Sequence, residues 1–377
     1  MKFVISSTEL LNHLQAISKV INTKNTLPIL DNFLFKLEGN ILEITASDLE
    51  TTLITRMTLN TDSEPGAIAI PAKFLTEYLS KFSEQPLTFD ISTEEFTIRI
   101  HSETGESNIV GYDWEDFPQM PSLKQDIVSP LHMPVDVVLQ GVSKTIFATG
   151  DDELRPVMNG VFVEMSTENI TFVASDSHIM VRYGRNDIKA DNEGSFILPK
   201  KPASLLRNIL AKEQGDVELQ FDDKNAMFRL SEYTMVCRLV EGTYPAYRSV
   251  IPTESPNKLI IDRVEFLQSL RRVQMFSNQG TNLVKMELKG NQVTIYAQDI
   301  DFSIASHDTL KCQYDGDHMN IGFKANFLAE LVANLSSTDI CLEMADPSRA
   351  ILVLPVQVDI EGEDVLMLIM PMTVAES

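Results

Sequence analysis

One outline occurs three times in this chain: an apolar strand, a lysine, then an amphipathic helix. It reads AIAIPAKFLTEYL at Ala67 to Leu79, FILPKKPASLLRNIL at Phe196 to Leu210 and IGFKANFLAELVANL at Ile321 to Leu335. The starts lie about a third of the chain apart, the mark of one supersecondary unit that was copied and then diverged. A chain of 377 residues is too long for one compact core and suits two or three domains; the repeat favours three, predicted at 1–125, 126–252 and 253–377.

The order around the outline recurs as well. In the first copy a strand is predicted at Lys2–Ser6 and a helix at Thr8–Asn22, where Leu10, Leu11, Leu14, Ile17 and Ile21 fall at helical spacing and Ser7 or Thr8 can serve as N-cap. Strands follow at Leu30–Glu38, Ile41–Ser47 and Thr51–Leu59, then at Leu87–Ile91, Phe96–Ser102 and Asn108–Val110. The second copy starts with a strand from about Ser129 and a helix at Val135–Phe147; the third has its helix at Val264–Phe276, a strand at Phe302–Ser306 and a final strand at Val365–Pro371. An acidic turn follows the third strand of each copy: Ser47-Asp48-Leu49, Ser175-Asp176-Ser177 and Gln298-Asp299-Ile300. Strands with one apolar face need a covering layer, and two amphipathic helices per copy supply it. The predicted class is α+β, three tandem domains with antiparallel sheets outside and a helix pair inside.

A formal charge of −23 argues against indiscriminate binding to nucleic acid. It leaves room for a local basic face, because lysine and arginine recur at the strand-to-helix junctions and on the helices. Cys237, Cys312 and Cys341 are odd in number and set in apolar surroundings, which predicts buried free thiols in a reducing cytoplasm and no metal or redox role. No signal peptide or membrane-length apolar run is predicted.

Ser175-Asp176-Ser177-His178 places a nucleophile, an acid and a base side by side, the raw material of a serine hydrolase using Ser177 and His178. Neighbours at a strand end point in different directions and there is no GxSxG elbow, so no catalytic residue is expected. Phosphate-binding glycine motifs are absent, and no cofactor is expected. The run Val365 to Met372, VLMLIMPM, reads as a buried strand, while methionines flanking a proline also suit a peptide-binding groove.

Taken in order, MKF at Met1 to Phe3, TLPIL at Thr26 to Leu30, SDLE at Ser47 to Glu50, IPAK at Ile70 to Lys73, DFP at Asp116 to Pro118, NG at Asn159-Gly160, ASDSH at Ala174 to His178, YPAYRSVIP at Tyr244 to Pro252 and MPM at Met370 to Met372 resemble the bacterial DNA polymerase III beta subunit family, the sliding clamps. The resemblance runs from the first residue to nearly the last. It implies a DNA-clamp fold, with two chains pairing head to tail as a homodimer into a ring around double-stranded DNA. It also implies a processivity factor that tethers the replicative DNA polymerase catalytic subunit and other polymerases and repair proteins, and that an ATP-dependent clamp loader opens.

By that resemblance Lys24, Lys73, Lys200, Lys201 and Arg248 face DNA, with Arg155, Arg207 and Lys324 beside them. Cations meeting phosphates, and no base edge, would hold any sequence equally. The peptide groove would comprise Met158, Ser175, Ser177, His178, Ile179, Met180, Pro245, Val250, Phe327, Leu368, Met370, Pro371 and Met372. The dimer interface would set Ser107 and Ile109 of one chain against Met275 and Phe276 of the other. This chain departs from the pattern at Ser177 and Ile179, where many members carry glycine and arginine, and at Thr373, where many carry arginine. A monomeric peptide-binding scaffold without a DNA role is the reading to set against the clamp.

Overall fold

A computed structural model describes residues 1–60, 64–121, 123 and 130–374. The expected boundary at 125/126 and the start of a strand at Ser129 lie outside the described residues. Among the described residues the strands form four sheets, every pairing antiparallel.

The chain divides into two compact units that interleave in sequence: Met1–Leu139 with Lys201–Leu239, and Gln140–Lys200 with the chain from Val240 onward. The first unit holds a four-stranded sheet in the order Lys2–Ser6, Pro86–Ser92, Thr97–His101, Glu106–Val110. Its eight-stranded sheet runs Gly66–Pro71, Asn32–Glu38, Ile41–Ser47, Thr51–Thr58, Tyr233–Arg238, Asn225–Arg229, Asp216–Phe221, Leu131–Pro134. In the second unit a nine-stranded sheet runs Gly194–Pro199, Gly160–Met165, Ile170–Ser175, Ile179–Arg185, Glu363–Ile369, Ile351–Pro355, Asp339–Met344, Asn257–Asp262, Gln313–Asp315. Its four-stranded sheet runs Ile304–Lys311, Gln292–Asp299, Leu283–Lys289, Met319–Lys324.

The two long sheets explain the interleaving. Strand Tyr233–Arg238 of the middle third pairs with Thr51–Thr58 of the first, Tyr233 opposite Thr55. Strand Ile179–Arg185 of the middle third pairs with Glu363–Ile369 of the last, Met180 opposite Leu368. Backbone edges left open by one copy are closed by the next, so hydrogen bonding crosses from one sequence repeat into its neighbour.

The three recurring outlines fold alike: strand Gly66–Pro71 into helix Ala72–Leu79, strand Gly194–Pro199 into helix Lys200–Leu210, and strand Met319–Lys324 into helix Ala325–Ala333. Each copy also has its other helix, at Ser7–Ser18, Val135–Thr145 and Arg263–Gln274. In chain order these six helices are α1 (Ser7–Ser18), α2 (Ala72–Leu79), α3 (Val135–Thr145), α4 (Lys200–Leu210), α5 (Arg263–Gln274) and α6 (Ala325–Ala333). Helices α1 and α2 pack on each other and on the sheet strands in the first unit, and α5 and α6 do so in the second. The buried stripe of α1 is Leu10, Leu14 and Ile17, and that of α5 is Phe266, Leu270 and Val273, all with no exposed surface. Both helices start at a residue whose side chain accepts a backbone N–H three residues on, Ser6 from Glu9 and Asp262 from Glu265.

Several local expectations shift. The N-cap of α1 is Ser6, because Ser7 is buried and its hydroxyl donates to the Ser83 carbonyl. The helix stops at Ser18, short of Asn22. The strand expected at Phe302–Ser306 begins at Ile304, since Phe302 and Ser303 belong to a turn in which Ser303 has φ 53°. Strand Gln313–Asp315 was not foreseen. Only Cys237 is fully buried; Cys312 and Cys341 are half-buried, and all three are free.

Candidate functional site

The acidic turns are one structure used three times. Asp48 Oδ1 accepts the N–H groups of Glu50 and Thr51, Asp176 Oδ1 those of His178 and Ile179, and Asp299 Oδ1 those of Asp301 and Phe302. In the first two the residue after the aspartate takes positive φ, Leu49 at 78° and Ser177 at 81°. A carboxylate bridging two backbone donors holds a tight turn, as asparagine and aspartate do generally. Asp176 is therefore committed to the backbone. Ser177 Oγ accepts a hydrogen bond from Arg155 Nη1 and lies 3.6 Å from Met158 Sδ, and the His178 ring packs against Phe327 at 5.8 Å. The three neighbours point to three different partners, which is not the convergent geometry of a hydrolase.

Around this turn the second unit builds an apolar site. Met180 and Leu368 lie opposite each other on adjacent strands, both almost fully buried. They join a cluster with Val173, Ile197, Tyr244, Tyr247, Leu352 and Leu366, against which Val157 and Phe162 pack. Tyr244 stacks on Phe162 with ring centroids 4.7 Å apart. Burial pushes the Tyr247 hydroxyl up to about 12, helped by the Glu164 carboxylate that accepts its hydrogen bond at 2.9 Å. Of the other residues expected there, Met158, Phe327, Pro371 and Met372 are half-buried, and Ser177, His178, Pro245, Val250 and Met370 are exposed. Such a surface can accept aliphatic and aromatic side chains while adapting its shape through its methionines.

The segment after strand Glu363–Ile369 is fixed at two points. Met370 N–H donates to the His178 carbonyl at 2.8 Å, and Met372 N–H donates to the Gly322 carbonyl at 2.8 Å. Gly322 permits this crossing, since a Cβ there would stand 2.8 Å from the Met372 carbonyl oxygen and 2.6 Å from Val374 Cγ2. Ile179 differs from Met180 in the face it presents. It is 2% exposed and alternates to the opposite face of its strand from Met180, so its side chain is not brought to the floor. Ser175 acts from within the turn, its hydroxyl donating to the Ile179 carbonyl and accepting from Ser177 N–H.

The basic residues separate into two groups. Lys24, Lys73 and Arg207 carry no ion pair among the described residues. Lys200 pairs with Asp151 at 2.9 Å, and Lys324 Nζ sits 4.6 Å from the Phe327 ring centroid. Lys201 donates to the Asp48 carboxylate, whose side chain is 5% exposed, and to Val20 O and Asn22 Oδ1. Arg248 makes two hydrogen bonds to Glu164 and covers the Tyr247 ring at 5.1 Å, while Arg155 joins Asp152 to Ser177. Arg248 stands on the 3₁₀ turn Tyr247–Val250 and Arg155 directly precedes the 3₁₀ turn Pro156–Met158, and neither is on one of the six α-helices. That Arg155 reaches Ser177 beside Met158 was missed in sequence, although its place directly before Pro156-Val157-Met158 was a signal.

Ser107 and Ile109 lie on Glu106–Val110, an edge strand, where the Ser107 hydroxyl accepts from Tyr78. Met275 is 78% exposed just past α5, and Phe276 is half-buried. Strand Ile304–Lys311 is likewise an edge, next to exposed Ile300 and Phe302. Among the described residues there is no group of three or more potential metal ligands, and no helix is long and apolar enough to cross a membrane.

Comparison with family models finds three matches in chain order: DNA polymerase III beta subunit, N-terminal domain, over residues 1–121; central domain, over 132–246; and C-terminal domain, over 248–373. The chain is 25% identical to the beta sliding clamp of Pseudomonas aeruginosa over 378 residues, covering 99% of this chain and 100% of that one. Its fold superposes with a TM-score of 0.93 on the crystal structure of the Pseudomonas aeruginosa clamp bound to griselimycin, at 22% identity over 99% of this chain and 100% of that chain. The Caulobacter crescentus beta sliding clamp, with polyethylene glycol bound at the region assigned to beta-motif tethering, gives a TM-score of 0.90 at 25% identity over 99% of each chain.

Proposed function

The chain belongs to the DNA polymerase III beta subunit family, and on that premise we propose how its own residues carry out the work of a sliding clamp. It is a non-catalytic clamp of three tandem domains that encircles duplex DNA and tethers polymerase partners. The observation that carries this is the ordered match of all three family domains across nearly the whole chain, with a clamp fold to go with it.

Two chains close head to tail, the edge strand Glu106–Val110 with Ser107 and Ile109 meeting Met275 and Phe276 of the second copy. Exposed apolar side chains next to two unpaired sheet edges favour such a contact. Lys24, Lys73 and Arg207, free of carboxylate partners among the described residues, are the best placed to meet phosphates, with Lys200 and Lys324 after them. Their charges give a salt-dependent, sequence-blind attraction. The groove from Met158 to Met372 docks a short peptide of a glutamine followed by aliphatic and aromatic residues, carried by polymerases and repair proteins, and an ATP-dependent loader opens the ring in the cytoplasm. Domain boundaries near 125 and 252 accompany this reading.

The test is retention after loading by a cognate loader, on circular and on linear DNA, at salt high enough to strip electrostatic binders. Persistence on circles with loss from linear ends is expected. Equal loss from both would mean that charge alone holds the protein, and the scaffold reading would replace the clamp.

A further inference from the structure

Ser177 occupies a backbone conformation, φ 81°, that glycine adopts more readily than any residue with a side chain. The turn does not need its hydroxyl. Asp176 Oδ1 and Ser175 Oγ already bind the turn's N–H groups, including that of Ser177 itself. The Ser177 hydroxyl faces the other way, accepting from Arg155 Nη1 and directed at Met158 Sδ. Arg155 is in turn held by Asp152, whose Oδ2 accepts from its Nε at 2.9 Å and whose Oδ1 accepts Leu154 N–H at 2.9 Å. A polar bridge thus runs from the 3₁₀ turn Pro156–Met158 to the acidic turn, beside the apolar floor of Met180 and Leu368.

We propose that Ser177 and Arg155 form a latch across the mouth of the groove, and that the Ser177 hydroxyl selects peptides offering a hydrogen-bonding group at this point over peptides that are apolar there. This rests on the peptide-groove reading above. A peptide that inserts between the two turns breaks the bridge and leaves a guanidinium N–H and a hydroxyl to be satisfied. An amide or carboxylate on the peptide satisfies them; a leucine does not. Sites with fixed polar groups discriminate in this way against ligands that lack the matching partner.

The experiment measures peptide affinity by fluorescence anisotropy for wild type, Ser177→Ala and Ser177→Gly. The probes are a labelled peptide of one glutamine followed by leucines and a phenylalanine, and a set with each leucine in turn replaced by its near isostere asparagine. Met370→Lys serves as the groove control, and melting curves confirm folding, since glycine relieves the positive φ and alanine retains the native Cβ.

Both Ser177 variants are expected to bind the parent peptide roughly 2- to 10-fold more tightly, the equivalent of one hydrogen bond no longer broken. At one position asparagine is tolerated by wild type and penalised by both variants to a similar extent. If all three proteins rank every peptide identically while Met370→Lys loses binding, the latch is wrong and the groove stands. Tightening by glycine alone assigns the effect to backbone freedom and also overturns the latch. Should Met370→Lys bind like wild type, or wild type bind no peptide, the groove reading fails and the latch with it.

Discussion

At the scale of single residues, identical side chains differ in what the fold asks of them. Lys73 and Lys201 occupy matching places in two copies of the recurring outline, yet Lys73 is solvent-facing and Lys201 ties α4 to Asp48, Val20 and Asn22. Lys201→Met should lower stability by about 1–2 kcal/mol, discounted for the lysine's partial exposure, because the nearly buried Asp48 carboxylate loses its cation. Lys73→Met should stay within about 0.5 kcal/mol. Urea melts of the two variants check this. Lys73→Met should instead reduce the salt dependence of DNA retention. His13 gives the pH prediction. It is 8% exposed, hydrogen-bonded to Thr55 Oγ1 at 2.6 Å, and burial lowers its pKa below the ordinary 6.5 against the opposing pull of Glu232. The unfolded chain then takes up a proton that the folded ring resists, so this contribution is full above 6.5 and is lost as pH falls through the lower folded value. Melting temperatures of wild type between pH 7 and pH 5 should drop more steeply than those of His13→Asn.

Among whole elements, the contact with most at stake joins α3 to strand Glu363–Ile369. Lys144 and Glu363 pair at 2.9 Å with side chains only 15% and 4% exposed, and Lys144 also lies 5.4 Å from the Tyr183 ring centroid. Lys144→Met should destabilise by about 3 kcal/mol through the buried carboxylate left behind, and adding Glu363→Leu should recover much of it. Denaturant titrations of the single and double variants give the coupling. The elements themselves were largely legible. The alternation of Ile41–Ser47 and the helical stripe of Leu10, Leu14 and Ile17 are local patterns, and local patterns survive in sequence. Which strand pairs with which was not legible. Thr51–Thr58 and Tyr233–Arg238 meet across about half the chain, and nothing within either strand specifies the other. In the groove, the turn and the methionine-rich end could be read as one site. The switch of Ile179 to the far face and the reach of Arg155 to Ser177 depend on register and side-chain direction, which spacing does not carry.

For the molecule as a whole, closure of the proposed ring depends on apolar groups at sheet edges. Met275→Glu should place an unpaired charge in that contact and convert dimer to monomer in sedimentation velocity at micromolar concentration, while peptide affinity, which lies elsewhere, is retained. Strand Glu363–Ile369 has a wider consequence. Within the nine-stranded sheet it alone separates the four strands drawn from the middle of the chain from the four drawn from the last third. During synthesis the middle set, complete at Pro199, is made well before the strand that joins it to the rest and waits with an open edge, whereas the last set is completed at Pro355, just ahead of that strand. The nine-stranded sheet can close only once residues through 369 have been made, so a chain broken off before Glu363 leaves the two sets unjoined and lacks Leu368 and Met370 of the proposed docking surface.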